Sequence, residues 1–206
     1  MPCARPRNTL HSWRINPKLP QAALDEALFK LRNIEHGKLA QKNVIFTDYL
    51  QHGIEVAFVQ EGEQRYDRVR LIDYDHVELN HFVVANQWTF QEYSEKRPDV
   101  VVFVNGLPLV VVELKSPSRE ETDVSEAYRQ LRNYMKEIPT FFVYNAFCVM
   151  SDMAEIRVGT ITAGEDRFMQ WKSIDGTHES MAVADFNVLF FEFISIFAVW
   201  KWFKFN

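Results

Sequence analysis

Residues 97–117 read RPDVVVFVNGLPLVVVELKSP, two short valine-rich runs that meet at Asn105-Gly106. Asn and Gly tolerate the positive φ of a tight reversal, so Asp99 to Asn105 and Pro108 to Lys115 are expected to pair as a β-hairpin. The runs are apolar on both faces rather than alternating, the pattern of strands covered above and below. Against that background three charges need a reason: Asp99 opens the first run, and Glu113 and Lys115 close the second. An unpaired carboxylate in such a strand costs on the order of several kcal/mol unless a cation or hydrogen bonds compensate it.

Turn length decides whether the charges meet, because a one-residue slip in register turns a side chain to the opposite face. A three-residue loop of Asn105, Gly106 and Leu107 sets Val104 against Pro108, Phe103 against Leu109, Val101 against Val111 and Asp99 against Glu113. The two acids then have Cβ atoms roughly 5 Å apart, a spacing at which they can share a divalent ion. Lys115 projects from the same face as Glu113. A two-residue loop would instead oppose Asp99 to Val112 and separate the acids. The simpler alternative is a stable hairpin in which Asp99 caps a strand and Glu113 and Lys115 form a surface ion pair. That alternative leaves an acid inside LVVVELK unexplained.

Downstream, Val124, Ala127, Tyr128, Leu131, Met135 and Ile138 recur at three- and four-residue spacing, so Thr122 to Glu137 is expected as an amphipathic helix stopped by Pro139. Gln130 and Tyr134, four residues apart, share one face beside the apolar stripe. Upstream, Met1 to Pro20 reads as loop, Pro20 opens a helix to about Asn33, and a second helix runs from Lys38 to Gln51. Strands are expected at Ile54 to Val59, Tyr66 to Ile72, Phe82 to Tyr93, Thr140 to Tyr144, Phe147 to Ser151 and Ile156 to Thr160. The series implies an α/β fold with a mixed central sheet flanked by helices.

At this point the chain resembles the PD-(D/E)XK nuclease superfamily, and more closely the amino-terminal endonuclease domain of the R subunit of type I restriction enzymes. The supporting blocks are NPKLPQAALDEALFKLRNI, the stretch from DRVRLIDYD to FVVANQWTFQE, the hairpin itself, and EAYRQLRNYMKEIPTFFVYNAFCVMSD, covering about residues 16–176. PD followed by ExK is a weak pattern alone; the order of blocks is specific. The resemblance implies a restriction-endonuclease-like fold and a magnesium-dependent DNA endonuclease (a type I site-specific deoxyribonuclease), with manganese as a substitute ion. It implies that Asp99 and Glu113, with the carbonyl of Leu114, are metal ligands and that Lys115 is the catalytic lysine. QLRNY looks like the family's QxxxY motif, which implies that Gln130 and Tyr134 support the site or contact the DNA backbone. A further upstream acid is common in the superfamily, and Glu26, Glu78 and Glu92 are unranked candidates.

The 206 residues carry a formal charge of -5 and a pI near 5.7, which argues against strong autonomous binding of nucleic acid. From Glu95 to Lys136, seven Lys or Arg are matched by seven Asp or Glu, so the neighbourhood of the hairpin is not basic either. The resemblance supplies the missing grip: double-stranded DNA would be held by a helicase motor and by methylation and specificity subunits of a restriction complex. The motor's ATP site is not in this chain, since its Gly37-Lys38 lacks the rest of a phosphate loop. The chain is therefore read as part of a longer protein: residues 1–20 an extension, 21–180 the nuclease domain, and 181–206 an apolar segment beginning a following region. The alternatives are a noncatalytic nuclease-like docking fragment and a repair nuclease of the same superfamily.

The closing stretch FNVLFFEFISIFAVWKWFKFN is interrupted by Glu192 and too short for a membrane span, so it is expected as a docking helix that would favour self-association if exposed. Cys3 and Cys148 lie in no metal-ligand spacing, and the absence of a secretory apolar run at the start points to a reducing cytoplasm with free thiols. The histidines, His11, His36, His52, His76, His81 and His178, are scattered. In IDYDH, Asp73, Asp75 and His76 form a small cluster for which a capping or turn role is the stronger reading.

Overall fold

In the helix opened by Pro20, Ala23, Leu24, Ala27 and Leu31 fall on one stripe, and all four are buried. The computed structural model describes residues 12–35, 37–115, 124–151 and 156–170. Within them a helical turn α1 (Ser12–Ile15) interrupts the stretch expected as loop, and α2 (Gln21–Arg32) and α3 (Leu39–His52) follow where periodicity sets them. The hairpin β1 (Ile54–Gln60) and β2 (Glu63–Val69) turns at Glu61-Gly62, both at positive φ. That tight turn starts β2 three residues before the expected Tyr66. It ends at Val69, and Leu71 and Ile72 are buried beyond it without joining a strand.

The segment expected as one strand from Phe82 to Tyr93 is two, β3 (Phe82–Asn86) and β4 (Phe90–Gln91), because Gln87 turns the chain at φ 52. The elements β5 (Glu95–Lys96), β6 (Val100–Val104) and β7 (Leu107–Leu114) come next. The helix α4 (Val124–Glu137) ends before α5 (Pro139–Phe142), and β8 (Phe147–Ser151), β9 (Ile156–Gly159) and β10 (Met169–Gln170) complete the described chain. The strand expected at Thr140–Tyr144 is therefore the short helix α5. Pro139 sits in its first turn, where a fixed φ and a missing N–H favour a helix start. An apolar run of five residues cannot be told from a buried helical turn by periodicity. The aromatic closing stretch, Cys3, His11, His36 and His178 lie outside the described residues, as does the expected helix start at Thr122.

Among the described residues, six strands form the main sheet in the order β10-β9-β8-β7-β6-β3, with β7 and β8 parallel and the other neighbours antiparallel. The crossover from β7 to β8 carries α4 and α5. This is a mixed α/β architecture, consistent with the restriction-endonuclease-like fold expected from sequence. The sheet separates two apolar cores. Val102, Val104, Val110, Val112 and Val149 pack with α2, α3 and β1, while Val101, Val111, Cys148 and Met150 pack with α4 and α5. Period-two alternation then assigns Glu113 to the side of Val111, under α4. Burial of every β7 residue from Leu107 to Glu113 explains why the strand reads as a continuous apolar run.

The hairpin reaches the expected register by a different route. Val104 pairs with Leu107, so the loop has two residues, Asn105 and Gly106, rather than three. A bulge then intervenes: Phe103 pairs with Pro108, not Leu109, whereas Val102 pairs with Val110, leaving Leu109 as the extra residue. The added residue restores Val101 opposite Val111 and Val100 opposite Val112, so Asp99 extends the series toward Glu113.

Asn105 is fully buried and left-handed at φ 51. Its amide nitrogen donates to Leu71 O and Asn80 Oδ1, both at 2.8 Å, and its Oδ1 accepts from His81 N at 2.8 Å. Asn80 in turn donates to Asp73 O at 2.7 Å, and Asp73 Oδ1 accepts from the amides of Asp75 and His76, each at 2.9 Å. The IDYDH cluster thus has the turn-forming role favoured by its sequence. Replacing Asn105 with Ala leaves several buried partners unsatisfied and strains the left-handed backbone, so denaturant unfolding should show a loss of about 2–4 kcal/mol.

Candidate active site

Glu113 is the penultimate residue of β7, and only 2% of it is exposed. Its Oε1 lies 3.4 Å from Lys115 Nζ, while Oε2 is buried without a hydrogen-bond partner among the described residues. Burial raises the Glu113 pKa to about 7, with the nearby Asp99 charge adding to the rise and Lys115 and the Tyr134 hydroxyl opposing it. A carboxylate in this state has an unmet demand for positive charge.

Asp99 immediately precedes β6. Its Oδ2 accepts from Leu114 N at 2.9 Å and its Oδ1 from Gln87 Nε2 at 2.8 Å. Leu114 thus joins the group through its amide, on the strand segment between Glu113 and Lys115. Lys115 is largely enclosed, with a side chain 12% exposed, and its own amide donates to Ser151 O of β8 at 2.8 Å. That bond fixes the backbone from which the ammonium projects.

From α4, Gln130 Oε1 accepts from Lys115 Nζ at 3.1 Å, and Gln130 Nε2 donates to Tyr134 Oη at 2.7 Å. Tyr134 is buried, and desolvation lifts its pKa to about 12, so its hydroxyl keeps its proton beside Glu113. The helical spacing of Gln130 and Tyr134 thus puts one amide between the lysine and the phenol, joining α4 to the end of β7. The five residues singled out in the sequence, Asp99, Glu113, Lys115, Gln130 and Tyr134, meet in one place.

Two members were missed. Glu126, one turn before Gln130, sets Oε1 3.7 Å from Lys115 Nζ; its four-residue offset from Gln130 was a usable signal. Gln87 follows β3, and nothing in its local sequence marks it. The three unranked acids lie elsewhere. Glu26 accepts from Ala57 N at 3.1 Å and pairs with Lys30, tying α2 to β1. Glu92 accepts from the amide and hydroxyl of Thr140. Glu78 sits in the helical turn Val77–Leu79. None of the three bonds to Asp99, Glu113 or Lys115 among the described residues.

The donor set suits a hard divalent cation. Two carboxylates stand at the ends of adjacent strands, one with a buried oxygen that has no hydrogen-bond partner among the described residues, and oxygen ligands are what Mg²⁺ takes. Among the described residues, no group of three or more His, Cys, Asp or Glu is arranged for a metal, so remaining ligands would be water, backbone or substrate. Cys148 is no candidate: it is fully buried, and burial pushes its thiol up to about 12.

A mixed sheet whose central strands carry an acid pair and a lysine at adjoining ends has the architecture of a restriction-endonuclease-like domain. The chain belongs to the family described as Type I restriction enzyme R protein N terminus, whose model matches residues 7–167. It is 38% identical over 169 residues to the Type I restriction enzyme HindI endonuclease subunit of Haemophilus influenzae, an alignment covering 81% of this chain and 16% of that protein. It is 33% identical over 165 residues to the putative type I restriction enzyme MjaIXP endonuclease subunit of Methanocaldococcus jannaschii, covering 78% and 16% respectively. The chain thus spans about a sixth of the length of these relatives. Among the described residues, no helix is long and apolar enough to cross a membrane.

Proposed function

We propose that the chain supplies the nuclease centre of a type I restriction endonuclease subunit and hydrolyses phosphodiester bonds of double-stranded DNA with Mg²⁺. The observation that carries this reading is the buried Glu113 carboxylate, whose Oε2 has no hydrogen-bond partner among the described residues, with Asp99 and Lys115 beside it. Asp99 and Glu113 would hold the ion, with the Leu114 carbonyl as a third oxygen; Mn²⁺ can replace it. When bound, the ion lowers the pKa of a coordinated water and offsets charge on the phosphate.

The protein's own groups do the rest. Lys115, held by Gln130 and Glu126, orients the attacking water, and its ammonium offsets charge building on the phosphate. Gln130, tied through its own amide nitrogen to Tyr134, gives that ammonium an anchored acceptor. The relatives' names add an endonuclease subunit of a restriction enzyme, from which we infer partners that methylate and recognise DNA, an ATP-driven motor outside this segment, and a cytoplasmic setting.

A second reading, a docking module without activity of its own, draws on the net charge of -5, which offers DNA little attraction. Plasmid nicking separates the two. The wild-type chain is expected to nick supercoiled plasmid when Mg²⁺ or Mn²⁺ is added, to stop on chelation, and to lose at least about 100-fold in rate on Asp99→Ala substitution. Equal nicking by Asp99→Ala would contradict the catalytic reading, and no metal-dependent nicking by the wild type would favour the docking one.

A further inference from the structure

The residue that sets the Asp99 carboxylate is Gln87. It lies between β3 and β4, on the edge-strand side of the sheet, and holds Asp99 at two points: its amide nitrogen donates to Asp99 O at 2.8 Å and its side-chain Nε2 to Asp99 Oδ1 at 2.8 Å. The other carboxylate oxygen accepts from Leu114 N at 2.9 Å. Each oxygen therefore has one N–H donor on it, from opposite flanks, and the plane of the carboxylate is fixed between them.

We propose that Gln87 is a positioning residue that presets Asp99 for a divalent cation, a role that rests on the metal-site reading above. Three features support it. The donor is neutral, so it orients the carboxylate without cancelling the charge a cation needs, as an Arg or Lys there would. One donor on each oxygen leaves further acceptor capacity on both for a metal. Gln87 also holds φ 52, a left-handed conformation that Gly or Asn adopts more readily. If a chain reversal were the only requirement, either would serve; Gln adds the reach to Asp99, and Asn is one methylene shorter. Hydrogen-bonding partners behind a metal ligand typically change affinity 10–100-fold when removed.

The test is Mn²⁺ titration of the full chain, followed by electron paramagnetic resonance and paired with thermal unfolding. Gln87→Gly accepts the left-handed backbone and removes the amide; Gln87→Met keeps the length and removes the donor. Both are expected to raise the Mn²⁺ dissociation constant at least about tenfold and to alter the spectrum of bound Mn²⁺ at saturation, while the metal-free Gly variant unfolds no earlier than the wild type. Wild-type affinity and spectrum in a folded variant would overturn the positioning role while leaving the metal site standing. If Gln87→Gly does not fold, Gln87→Met decides on the same readouts. Absence of Mn²⁺ binding to the wild type, or binding unaffected by Asp99→Ala, would overturn the metal-site reading and this inference with it.

Discussion

Replacing Glu113 with Gln is expected to stabilise the metal-free protein above pH 7 while removing its response to Mg²⁺. The Glu113 carboxyl rises from its ordinary value of 4.5 to about 7 in the folded chain, chiefly through burial and secondarily through the Asp99 charge. The folded state therefore binds more protons than the unfolded state between those values. Stability is fullest below about pH 4.5, falls as pH rises through about 7, and stays low above it, a loss of roughly 3 kcal/mol for this group. A neutral amide of the same shape carries no such penalty, so the variant should be more stable at pH 8 by on the order of 1–3 kcal/mol. Wild-type protein should recover that difference when Mg²⁺ is added, because a cation that binds only the folded state stabilises it. Chemical unfolding at pH 5 and pH 8, with and without Mg²⁺, checks each part. A Gln variant no more stable than wild type at pH 8 would mean that the buried carboxylate carries little strain.

The second large effect belongs to Lys115. Lys115→Met preserves much of the aliphatic bulk enclosed between β7 and α4 but removes the ammonium that lies 3.4 Å from Glu113 and 3.1 Å from Gln130. Metal affinity should hold or improve, since a positive charge beside the ion is gone. Phosphodiester cleavage should fall about 10²–10⁴-fold, the range for losing a positioned proton-transfer or charge-stabilising group. Single-turnover cleavage at saturating Mg²⁺, beside a metal titration, separates the effects. Parallel loss of both would make Lys115 a structural prop for the acid pair.

Much of the site was legible because its residues lie on elements with strong periodicity. The valine-rich runs flanking Asn105-Gly106 fit strands covered on both faces, and in such strands Glu113 required a partner. Four-residue spacing on a clearly amphipathic helix joined Gln130 to Tyr134 and would also have joined Glu126. The turn shows the limit of register arguments. A two-residue loop was expected to separate Asp99 from Glu113, and the loop does have two residues, but the bulge at Leu109 adds the missing residue. Turn length and bulge compensate each other, so loop length alone does not set the register.

What stayed hidden depends on tertiary contact. Phe141 and Phe142 are buried in the core under α4, and that packing, with Pro139 at the helix start, decides helix over strand at α5. Gln87 is polar, lies in a turn and faces an acid 12 residues away, so no local pattern points to it. The buried Asn105–Asn80–Asp73 chain belongs to the same class. Asn105-Gly106 announced a turn, but not that the asparagine would be the anchor to which residues 71–81 attach.

The most direct test of the shared metal site is a crystal structure of this chain grown with Mn²⁺ and measured for anomalous scattering. A single strong peak between the carboxylates of Asp99 and Glu113, bonded to Glu113 Oε2, is the expected result. Ordered carboxylates with no peak between them, or Mn²⁺ bound only elsewhere, would contradict the account.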